Sequence, residues 1–554
     1  MTEVVDRLRL IPLGGVGEIG RNLMCVECGD DIVVIDAGLM FPESEMLGVD
    51  LVIPDVSWLA ERRHRLRGVV LTHGHEDHIG CLPYVLPRLE CPVYGTALTL
   101  GLLRNKLREH RLLDSSELHT VRPGDRVTLG SITVEWIHAT HSIPDACALA
   151  LHTALGVIVH SGDFKLDQTP IQGEPPDLAR LARLGDDGVL LLLSDSTNAE
   201  APGMTASERT VGAGLESIVA TAAGRVLIAT FASNISRLQQ AVHISEEHDR
   251  RCFVVGRSML NNVRVAEELG LLHSETGTFV SPKQADRVDD ADLCVLCTGA
   301  QGEPLSALAR IAAGEHPLVA LHEGDTVILS ANAIPGNEEA VHRTVNNLHR
   351  RGAHVFHGSR HGVHASGHAS AEELRLLLTL CRPRFFMPVH GEPRHLAAHA
   401  VIARNTGVTD DRIVIADNGR IIEIDESGVH VAPDRVAAGY VYVDGLSLED
   451  AADVVFRDRR LLSQDGIIIV MLTRERSTGV IVGGPELVTR GFIENSETER
   501  LFEEARDEVR RLLNLLLPDS GWTVAHQAVH EGLEKFLFKR TRRRPLILPL
   551  LTEV

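Results

Sequence analysis

The residues best suited to chemistry lie in one short segment, Leu71-Thr72-His73-Gly74-His75-Glu76-Asp77-His78-Ile79-Gly80. This segment places three imidazoles and a carboxylate within six positions, directly after an apolar and β-branched run. The spacing is too short for a helical His-Glu-x-x-His site, which needs two histidines one turn apart. We predict a site for two metal ions, with His73 and His75 on one ion and Asp77 and His78 on the other. Imidazoles favour Zn²⁺, and carboxylates also accept Mn²⁺ or Mg²⁺; the alternative is a His-rich surface turn without metal.

The remaining ligands are expected at the ends of other predicted strands. His141 follows the strand Ile132 to Ile137, and Asp163 comes shortly after the strand Val157 to Val159. His141 would complete the three-histidine site, and one carboxylate oxygen of Asp163 would bridge the two ions. A lone His or Asp at a strand end is more often structural. Four such ends, in order along the chain, favour a shared site.

Length and composition describe a soluble protein with several domains. At 554 residues the chain exceeds the size of a single core, and its 44% hydrophobic and 24% charged residues are ordinary for globular proteins. No apolar run is long enough to span a bilayer. The start Met1-Thr2-Glu3-Val4-Val5-Asp6 resembles neither a signal peptide nor a transit peptide, so we expect a cytoplasmic location.

The net charge of −21 opposes binding to nucleic acid through overall attraction. It does not exclude a nucleic-acid enzyme, because bound cations and local Arg or Lys side chains can reverse the potential inside a cleft. The basic run Lys539-Arg540-Thr541-Arg542-Arg543-Arg544 is interpreted as a solvated face or a subunit contact, with RNA contact as the alternative.

Two further motifs have structural interpretations. Gly15-Val16-Gly17-Glu18-Ile19-Gly20, with Asp36 downstream, matches a dinucleotide fingerprint. A strand, a turn and another strand follow it, however, so no helix would hold a pyrophosphate, and we predict a glycine-rich turn beside the metal cleft. The Cys-x-x-Cys pairs at Cys25/Cys28 and Cys294/Cys297 lie in strand-like segments, where residues three apart point to opposite faces. We therefore predict buried free thiols.

After residue 206 the pattern alternates strands and helices, which predicts a parallel-sheet domain. The helix Ala371 to Cys381 then leads to the strand Arg384 to Val389, and His390 stands at its end. Gly419 to Ala438 is rich in turn residues and is predicted to be a linker region. From about Asp450 a small separate α/β unit is expected.

These motifs together resemble a known family. Asp36, the cluster at His73 to His78, His141 and Asp163 are similar to the successive motifs of the metallo-β-lactamase superfamily. Ser194-Asp195-Ser196-Thr197, His368 and His390 resemble the additional motifs of its β-CASP branch, which processes nucleic acids. Longer phrases resemble the bacterial ribonuclease J family: Leu13 to Gly20, Thr298 to Pro304, His364-Ala365-Ser366-Gly367-His368, Pro388 to Glu392, and Arg543 to Pro549.

The resemblance implies an α/β fold, a metallo-β-lactamase αββα sandwich with an inserted β-CASP α/β domain and a small C-terminal α/β domain. The expected boundaries are 1–205 for the first part of the metallo-β-lactamase domain, 206–370 for the β-CASP domain and 371–425 for the second part of the sandwich. A linker at 426–449 and a C-terminal domain at 450–554 complete the chain.

The resemblance also implies the roles of individual residues. The metal ligands would be His73, His75, Asp77, His78, His141, Asp163 and His390, with Asp36 orienting a ligand. Asp77, Asp195 and His368 would be catalytic, the last two as acids or proton relays. A pocket for a nucleotide phosphate would comprise Ser233, His364, Ala365, Ser366, Gly367 and His368. A structural Ca²⁺ is expected near Gly48 and Asp50, with help from Asp444.

The implied activity is that of a metal-dependent ribonuclease with two Zn²⁺ per subunit, or Mn²⁺ or Mg²⁺ in activity. It would attack the phosphodiester with hydroxide and remove nucleotides 5′→3′ from single-stranded RNA bearing a 5′-monophosphate, with endonuclease activity as well, in RNA maturation and mRNA decay. Expected partners are further copies, in a homodimer or homotetramer through the C-terminal domain, and an RNA degradation complex.

Three competing functions remain. The inserted segment 206–370 opposes a small-molecule hydrolase such as a lactamase or thioesterase. His390 opposes a DNA-processing β-CASP nuclease, because relatives that process DNA usually carry an apolar residue there. The full set of ligands opposes an inactive RNA-binding scaffold.

Overall fold

The computed structural model describes residues 7–42, 46, 48–300, 306–332, 337–358, 361–425, 427–443, 452–478, 480–493, 498–515 and 522–554. The chain forms two compact units. The larger comprises Met1–Phe41 with Leu51–Val441, and the smaller comprises Pro42–Asp50 with Tyr442–Val554.

The first part of the chain contains two runs of successive strands, with most of its helices between them. Its strands are β1 (Leu8–Gly14), β2 (Leu23–Cys28), β3 (Asp31–Ile35), β4 (Leu51–Pro54), β5 (Leu66–Val70), β6 (Val93–Gly95), β7 (Leu118–Thr120), β8 (Arg126–Leu129), β9 (Ile132–His138), β10 (Cys147–Thr153), β11 (Gly156–His160) and β12 (Val189–Asp195). Its helices are α1 (Ser57–Ala60), α2 (Glu76–Ile79), α3 (Leu82–Leu89), α4 (Ala97–Glu109) and α5 (Leu178–Asp187). The two runs of strands are β1 to β4 and β7 to β11.

The middle of the chain largely alternates helices and strands, and it ends in three successive strands. Its helices are α6 (Arg209–Val219), α7 (Ile235–Glu247), α8 (Arg257–Glu268), α9 (Pro282–Ala285), α10 (Ala307–Ala313), α11 (Glu338–Arg350), α12 (Ala371–Cys381) and α13 (Pro393–Asn405). Its strands are β13 (Val226–Ala229), β14 (Arg251–Val255), β15 (Leu293–Cys297), β16 (Thr326–Leu329), β17 (His354–His357), β18 (Phe385–Val389), β19 (Arg420–Asp425), β20 (Gly428–Arg435) and β21 (Tyr440–Val443).

Two sheets of the larger unit face each other across one apolar core. Their strand orders are β20-β19-β1-β2-β3-β5-β6-β7 and β18-β12-β11-β10-β9-β8. Leu10 and Val26 of the first sheet share this core with Trp136 and Leu149 of the second. Leu374 of α12 and Leu181 of α5 cover the outer face of the second sheet. The arrangement is the metallo-β-lactamase sandwich that the sequence predicts.

Parallel pairing brings the ligand-type residues to one edge of each sheet. β3 pairs in parallel with β5, and β11, β12 and β18 are parallel neighbours. Strands that run in the same direction end on the same side, and residues that follow them meet there. Asp36, His73, Asp163, Asp195 and His390 each lie at or just after the end of one of these strands.

The inserted region carries a separate sheet, with strand order β14-β15-β13-β16-β17. All of its pairings are parallel. Helices follow its strands, and Leu308, Ile311 and Leu348 pack with Val295 and Val327 in its core. This is the α/β organisation predicted for the β-CASP region.

The smaller unit contains α14 (Ala452–Asp465), β22 (Ile467–Arg474), β23 (Ile481–Arg490), α15 (Thr498–Asn514), α16 (Trp522–Thr541) and β24 (Leu546–Glu553). Its sheet has the order β23-β22-β24. Ile468 and Val470 on one face pack with Val509 of α15 and Val529 of α16. The opposite face is exposed at Met471 and its neighbours.

The structure differs from the sequence prediction at Gly419 to Ala438, which was expected to be a linker region. Residues Arg420–Asp425 form β19, which pairs with β1, and Gly428–Arg435 form the edge strand β20. The pattern was weak because most side chains of β20 are exposed or partly exposed, so it lacks the apolar alternation that marks a half-buried strand.

The glycine-rich turn and the free thiols that the sequence predicts are both present in the fold. After Gly20 the chain enters β2 without an intervening helix, and Gly391 forms bridges with Val16 and Glu18 of the glycine-rich turn. All nine cysteines are free thiols. No described helix combines the length and the apolar character needed to cross a bilayer.

The packing of α5 against α12 depends on Gly185. Replacing a helical glycine with alanine usually stabilises a helix by up to about 1 kcal/mol. Here a Cβ atom would lie 2.0 Å from the carbonyl oxygen of Leu380. We expect Gly185→Ala to reduce the stability of the larger unit by about 1–3 kcal/mol, as overpacking does.

Thermal unfolding monitored by fluorescence measures this effect. Gly439→Ala is the matched control, because its Cβ would meet nothing within 4 Å. An unchanged or raised melting temperature for Gly185→Ala, relative to the control, would contradict the packing.

Candidate active site

Three imidazoles from two segments converge beyond the ends of β5 and β9. The Nε2 atom of His73 lies 3.0 Å from Nδ1 of His75, and Nε2 of His141 lies 3.1 Å from the same atom. Zinc–nitrogen bonds of about 2.0–2.1 Å in a tetrahedral site separate nitrogen ligands by about 3.3 Å. The three nitrogens are therefore already spaced nearly as ligands of one ion.

A second group lies on the other side of Asp163. Nε2 of His78 is 3.2 Å from Oδ2 of Asp163 and 3.5 Å from Oδ2 of Asp77. Nδ1 of His390 is 2.8 Å from Oδ1 of Asp163, and its Nε2 is 3.3 Å from Oδ2 of Asp77. Oδ2 of Asp163 also lies 3.8 Å from Nε2 of both His73 and His141. One buried carboxylate thus faces both groups.

Backbone geometry at the strand ends aims these side chains. Asp36 and His390 both have left-handed backbones, with φ of 59° and 51°. This conformation is uncommon for residues other than glycine and costs roughly 1–3 kcal/mol. The surroundings compensate at His390, whose backbone N–H donates to the carbonyl of Gly15 at 2.7 Å.

The carboxylate of Asp36 fixes the orientation of a neighbouring histidine. Its Oδ1 accepts from the backbone N–H of Thr72 at 2.8 Å. Its Oδ2 accepts from the Thr72 hydroxyl at 2.8 Å and from Nδ1 of His78 at 2.7 Å. With Nδ1 engaged, His78 presents Nε2 to the acidic group, as metal-ligating histidines do.

His141 is oriented by a loop from the distant segment His364 to His368. Its Nδ1 donates to the carbonyl of Gly367 at 2.6 Å, which leaves Nε2 for the three-histidine group. Only glycine fits at this position, because a Cβ at residue 367 would lie 2.5 Å from Cε1 of His141.

The same loop places His368 in contact with Asp195, which is the last residue of β12. Nδ1 of His368 lies 2.7 Å from Oδ2 of Asp195 and 4.0 Å from Oδ2 of Asp163. The Thr197 hydroxyl and backbone N–H both donate to Oδ1 of Asp195. A fixed carboxylate–imidazole pair therefore stands beside the two ligand groups.

The protonation states of the two groups differ. Burial, reinforced by neighbouring imidazoles, holds the pKa of His73 and His141 well below the usual value, and burial lowers the pKa of His75 to about 4. Burial also disfavours charge on His78 and His390. For these two, Asp163 and the other nearby carboxylates outweigh burial and hold the pKa well above the usual value.

The carboxylates respond in the opposite direction. Burial alone would raise the pKa of Asp163, but His390 and His78 outweigh it and hold this pKa well below the usual range. For His368, burial lowers the pKa, but Asp195 outweighs it and raises the pKa. Without metal, protons on His78 and His390 thus balance the buried carboxylates. Metal ions would replace those protons.

The donor set fits two divalent cations that share Asp163. His73, His75, His141 and Asp163 form one group, and Asp77, His78, Asp163 and His390 form the other, with all ligand atoms of a group within 4.8 Å of one another. The first group is rich in imidazole, which suits Zn²⁺, and the second contains two carboxylates, which also suit Mn²⁺.

A buried ion-pair network holds the other end of the loop. Arg237 is fully buried and makes a two-pronged pair with Glu208, at 2.7 and 2.9 Å. The same guanidinium donates to Nδ1 of His364 at 3.2 Å, and Nζ of Lys165 lies 3.7 Å from Glu208. Because arginine only donates, Nδ1 of His364 accepts and the ring proton lies on Nε2. Burial, with Arg237 and Lys165, lowers the pKa of His364 to about 3, so the ring is neutral.

The expected phosphate-pocket residues are brought together only in part. Oγ of Ser366 accepts from Nδ2 of Asn198 at 2.8 Å and from the backbone N–H of His368 at 3.2 Å. Ser233 precedes Asn234, the N-cap of α7, and Arg237 on this helix contacts His364. In the described chain no hydrogen bond joins Ser233 directly to the loop.

Several residues at the site were given no role from the sequence, although Thr72 and Thr197 lie within its motifs. They are Asn22, Thr72, Lys165, Thr197, Asn198, Glu208 and Arg237. Each supports another side chain instead of carrying a recognisable ligand pattern. Thr72 offered the clearest signal, since it lies within the His cluster and directly after β5.

The calcium prediction rests on residues of the smaller unit. The carbonyl of Gly48 accepts a hydrogen bond from the Arg459 guanidinium at 2.5 Å, and the backbone N–H of Asp50 donates to the carbonyl of Val443. Asp444 lies outside the described residues. A guanidinium on the Gly48 carbonyl does not fit a cation at that atom.

Family models match four successive parts of the chain. Residues 17–196 match the metallo-β-lactamase superfamily, and residues 223–348 match the ribonuclease J β-CASP domain. Residues 357–413 match a Zn-dependent metallo-hydrolase RNA specificity domain, and residues 454–554 match the ribonuclease J C-terminal domain.

Curated relatives are similar over nearly the whole chain. Ribonuclease J2 of Bacillus subtilis strain 168 is 41% identical over 551 residues, covering 99% of each chain. Ribonuclease J of Thermus thermophilus is 41% identical over 555 residues, covering 99% of this chain and 96% of the relative. A solved structure of a protein of unknown function from Enterococcus faecalis V583 has a TM-score of 0.53 at 16% identity, covering 75% of this chain and all of that one. This last likeness concerns the fold alone.

Metal binding tests the assignment of Asp163 and Asp36. We expect the purified protein to bind two equivalents of zinc, and Asp163→Asn to bind fewer, because an amide cannot bridge two cations. Asp36→Asn should keep both sites but weaken affinity about 10–100-fold, because His78 loses the partner that orients it. Elemental analysis gives the stoichiometry, and competition with a chromophoric chelator gives the affinity.

Asp145→Asn is the matched control, because Asp145 is a partly buried carboxylate that accepts from the Leu98 backbone and belongs to neither ligand group. Two tightly bound equivalents in Asp163→Asn would refute the shared carboxylate.

Proposed function

Because this chain belongs to the ribonuclease J family and is a metal-dependent ribonuclease, we propose that it shortens RNA from the 5′ end. The preferred substrate is single-stranded RNA with a 5′-monophosphate, and internal cleavage accompanies the stepwise 5′→3′ reaction. RNA maturation and mRNA decay are the processes that such an activity serves.

The observation that carries this proposal is the loop His364 to His368. One end of the loop holds the candidate phosphate donors, and the other end orients His141 and places His368 on Asp195. A terminal phosphate bound at one end would therefore lie a fixed, short distance from the cleavage site. A fixed distance from a chain end favours release of one nucleotide at a time.

Two bound divalent ions would supply an activated water and neutralise charge on the phosphoryl oxygens. The ligands for them are those of the two groups that share Asp163. The chain itself supplies the proton for the leaving group: Asp195 raises the pKa of His368 and anchors its Nδ1 at 2.7 Å, so Nε2 is the atom that donates to the 3′-oxygen. A positioned general acid accelerates such steps about 10²–10⁴-fold.

Recognition of the 5′ end is assigned to neutral donors. Nε2–H of His364 and the hydroxyl of Ser366 would donate to the terminal phosphate, with Ser233 nearby on the approach to α7. Backbone N–H groups and hydroxyls are common phosphate donors. Because the His364 ring is neutral, the contact would be a hydrogen bond and not an ion pair.

RNA is favoured over DNA by two observations. The model for an RNA specificity domain covers 357–413, a range that contains both the loop and His390. His390 also lies within the second ligand group, where the resemblance associates a histidine with RNA substrates.

Zinc is the proposed resident metal, at two ions per subunit, and Mn²⁺ or Mg²⁺ would also support activity. The calcium site at Gly48, Asp50 and Asp444 stays a prediction that the Gly48–Arg459 bond opposes. A cytoplasmic location is proposed because nine free thiols suit a reducing compartment.

Self-association is proposed through the exposed face of the sheet in the smaller unit. Met471, Leu548, Leu550 and Val488 are each 36–44% exposed. In register, Ile469 lies between Val488 and Leu548, and Met471 lies beside Leu550. These side chains form an apolar patch bordered by Glu486 and Arg490, and an exposed apolar patch with a polar rim is typical of an interface. A dimer or tetramer formed there, docked in an RNA degradation complex, is the proposed assembly.

A panel of matched RNAs tests the catalytic proposal. The RNAs carry 5′-monophosphate, 5′-triphosphate or 5′-hydroxyl ends and are incubated with Mn²⁺ beside single-stranded DNA and a β-lactam. We expect mononucleotide release fastest from the monophosphate RNA, and no release by the His78→Ala, Asp163→Asn double variant. Equal rates on all three RNA ends would contradict the 5′-end preference.

The phosphate pocket has its own variants in the same assay. Ser366→Ala should reduce the preference for monophosphate over hydroxyl ends. His364→Gln keeps an N–H at the position of Nε2, whereas His364→Asn places its amide near Nδ1. We therefore expect glutamine to retain more of the preference than asparagine. The reverse order would refute the assigned tautomer.

Sedimentation tests the proposed interface. Leu548→Glu with Leu550→Glu should shift the protein to a smaller species, because charges would enter an apolar contact. Leu260→Glu is the matched control, since Leu260 is 52% exposed on α8 of the larger unit. An unchanged assembly in the double variant would place the interface elsewhere.

A further inference from the structure

A groove separates α4 of the sandwich from α8 of the inserted region. The two helices touch where Gly101 meets Val265, because a Cβ on Gly101 would lie 2.7 Å from Cγ1 of Val265. Beside this contact the helices enclose a space of about 370 Å³. This space is large enough to admit a phosphate with its adjoining sugar, and it is partly open to solvent.

The groove collects positive charge in a chain whose net charge is −21. Arg104 and Arg108 of α4 and Arg264 of α8 line it, together with the single acid Glu268. The ion pair between Arg264 and Glu268 is long, at 3.9 Å, and both side chains are more than half exposed. Such a pair contributes little. Arg104 has no ion pair within the described residues.

The cations of α4 repel one another. Arg104 and Arg108 are four residues apart on one helix, an arrangement that destabilises a helix by about 0.2–0.5 kcal/mol. Arg264, which is 160 positions from Arg104 in the chain, adds a third positive charge to the same groove. A ligand with several negative charges would offset that repulsion.

Asn105 adds an unsatisfied donor to the same groove. Its Oδ1 accepts from Arg108 at 2.8 Å. Its Nδ2 is buried and has no hydrogen-bond partner in the described part of the chain. A buried amide N–H without a partner costs about 1–3 kcal/mol. An acceptor oxygen bound in the groove would remove this cost once the side chain turned Nδ2 toward the groove.

The opposite flank of α4 packs against the loop that carries the first ligand group. A Cβ on Gly74, between His73 and His75, would contact Leu102 and Thr99. Lys106 pairs with Glu76, the residue after His75. Since a helix with its side chains is about 10–12 Å across, the groove lies roughly one helix diameter from the ligand loop.

We propose that this groove binds the phosphodiester backbone of the RNA substrate, on the 3′ side of the bond that is cut. The proposal rests on the ribonuclease activity and adds a second point of attachment to it. Guanidinium groups grip phosphate oxygens with paired N–H donors, and the Nδ2 atom of Asn105 supplies one more.

The groove would hold RNA without reading its sequence. Its lining residues include no aromatic side chain on which a base could stack. Phosphate contacts fix the register and the direction of a strand but carry no base information. The groove would therefore keep the body of the RNA attached while successive 5′ nucleotides are removed.

The triple variant Arg104→Gln, Arg108→Gln, Arg264→Gln tests the proposal. Its rates are compared on two 5′-monophosphate RNAs, one of about three nucleotides and one of about twenty, since single-strand sites cover about 4–16 nucleotides. We expect KM for the longer RNA to rise about tenfold with kcat nearly unchanged. The salt dependence of binding should fall by about 2 in log–log slope, at roughly 0.7 per phosphate contact. The short RNA should be unaffected.

A matched control removes the same charge elsewhere. Arg122→Gln, Arg183→Gln, Arg343→Gln changes three exposed arginines that do not line the groove. The melting temperature of both triple variants is measured to separate misfolding from weakened binding. Competition with inorganic phosphate or a mononucleotide distinguishes a site for small anions from one for the RNA backbone.

Each outcome decides one question. If both triple variants weaken long RNA equally, overall charge and not the groove is responsible. If short and long RNAs suffer alike, or neither changes, the groove does not hold the substrate body. If inorganic phosphate occupies the groove without weakening the binding of the long RNA, the groove is a separate site for small anions. A wild-type protein that degrades no RNA would instead refute the proposed function itself.

Discussion

The buried carboxylate of Asp163 is the constraint around which the larger unit is built. Its side chain is 3% exposed, and imidazoles from the segments that follow β5, β9 and β18 and from the loop His364 to His368 approach it. An isolated buried charge is costly, so the segments around Asp163 must bring cationic or metal-binding groups into contact with its carboxylate. Two facing sheets with parallel strands at their centres provide such a meeting point. The left-handed residues Asp36 and His390 are the local cost of turning side chains toward it.

The inserted region is fastened to that centre by charge as well as by packing. Glu208 lies at the start of the insertion and pairs with Arg237 of α7 and, at a longer distance, with Lys165 behind β11. Pairs buried this deeply give weak net stability but break at high cost, which favours one arrangement of the segments over others. Arg237 also donates a hydrogen bond to His364 and so fixes the position of this end of the loop. The loop that orients His141 is therefore positioned from both ends.

Much of the site could be predicted from the sequence because its residues stand at strand ends, where short-range pattern and long-range position coincide. His73, Asp163 and His390 each follow an apolar run that is easily identified. Glu208 and Arg237 gave no such signal, because separated charged residues usually belong to solvated faces and only the tertiary fold shows them to be buried. β20 was missed for a related reason: as an edge strand with largely exposed side chains it needs no apolar alternation. The groove beside α4 depends on two helices that are distant in sequence, so no local pattern records it.

The hydrogen bond between Gly367 and His141 has a consequence in thermodynamic terms. The peptide that orients a candidate zinc ligand belongs to the same five-residue loop as the candidate donors to the RNA end. If occupation of one site shifts this loop, the free energy of that shift is shared with the other site. Linkage is reciprocal: any factor by which metal strengthens binding of the RNA end is the factor by which the RNA end strengthens binding of metal. The enzyme would then lose zinc more slowly while the RNA end is bound, and it would hold the RNA end more tightly while zinc is bound.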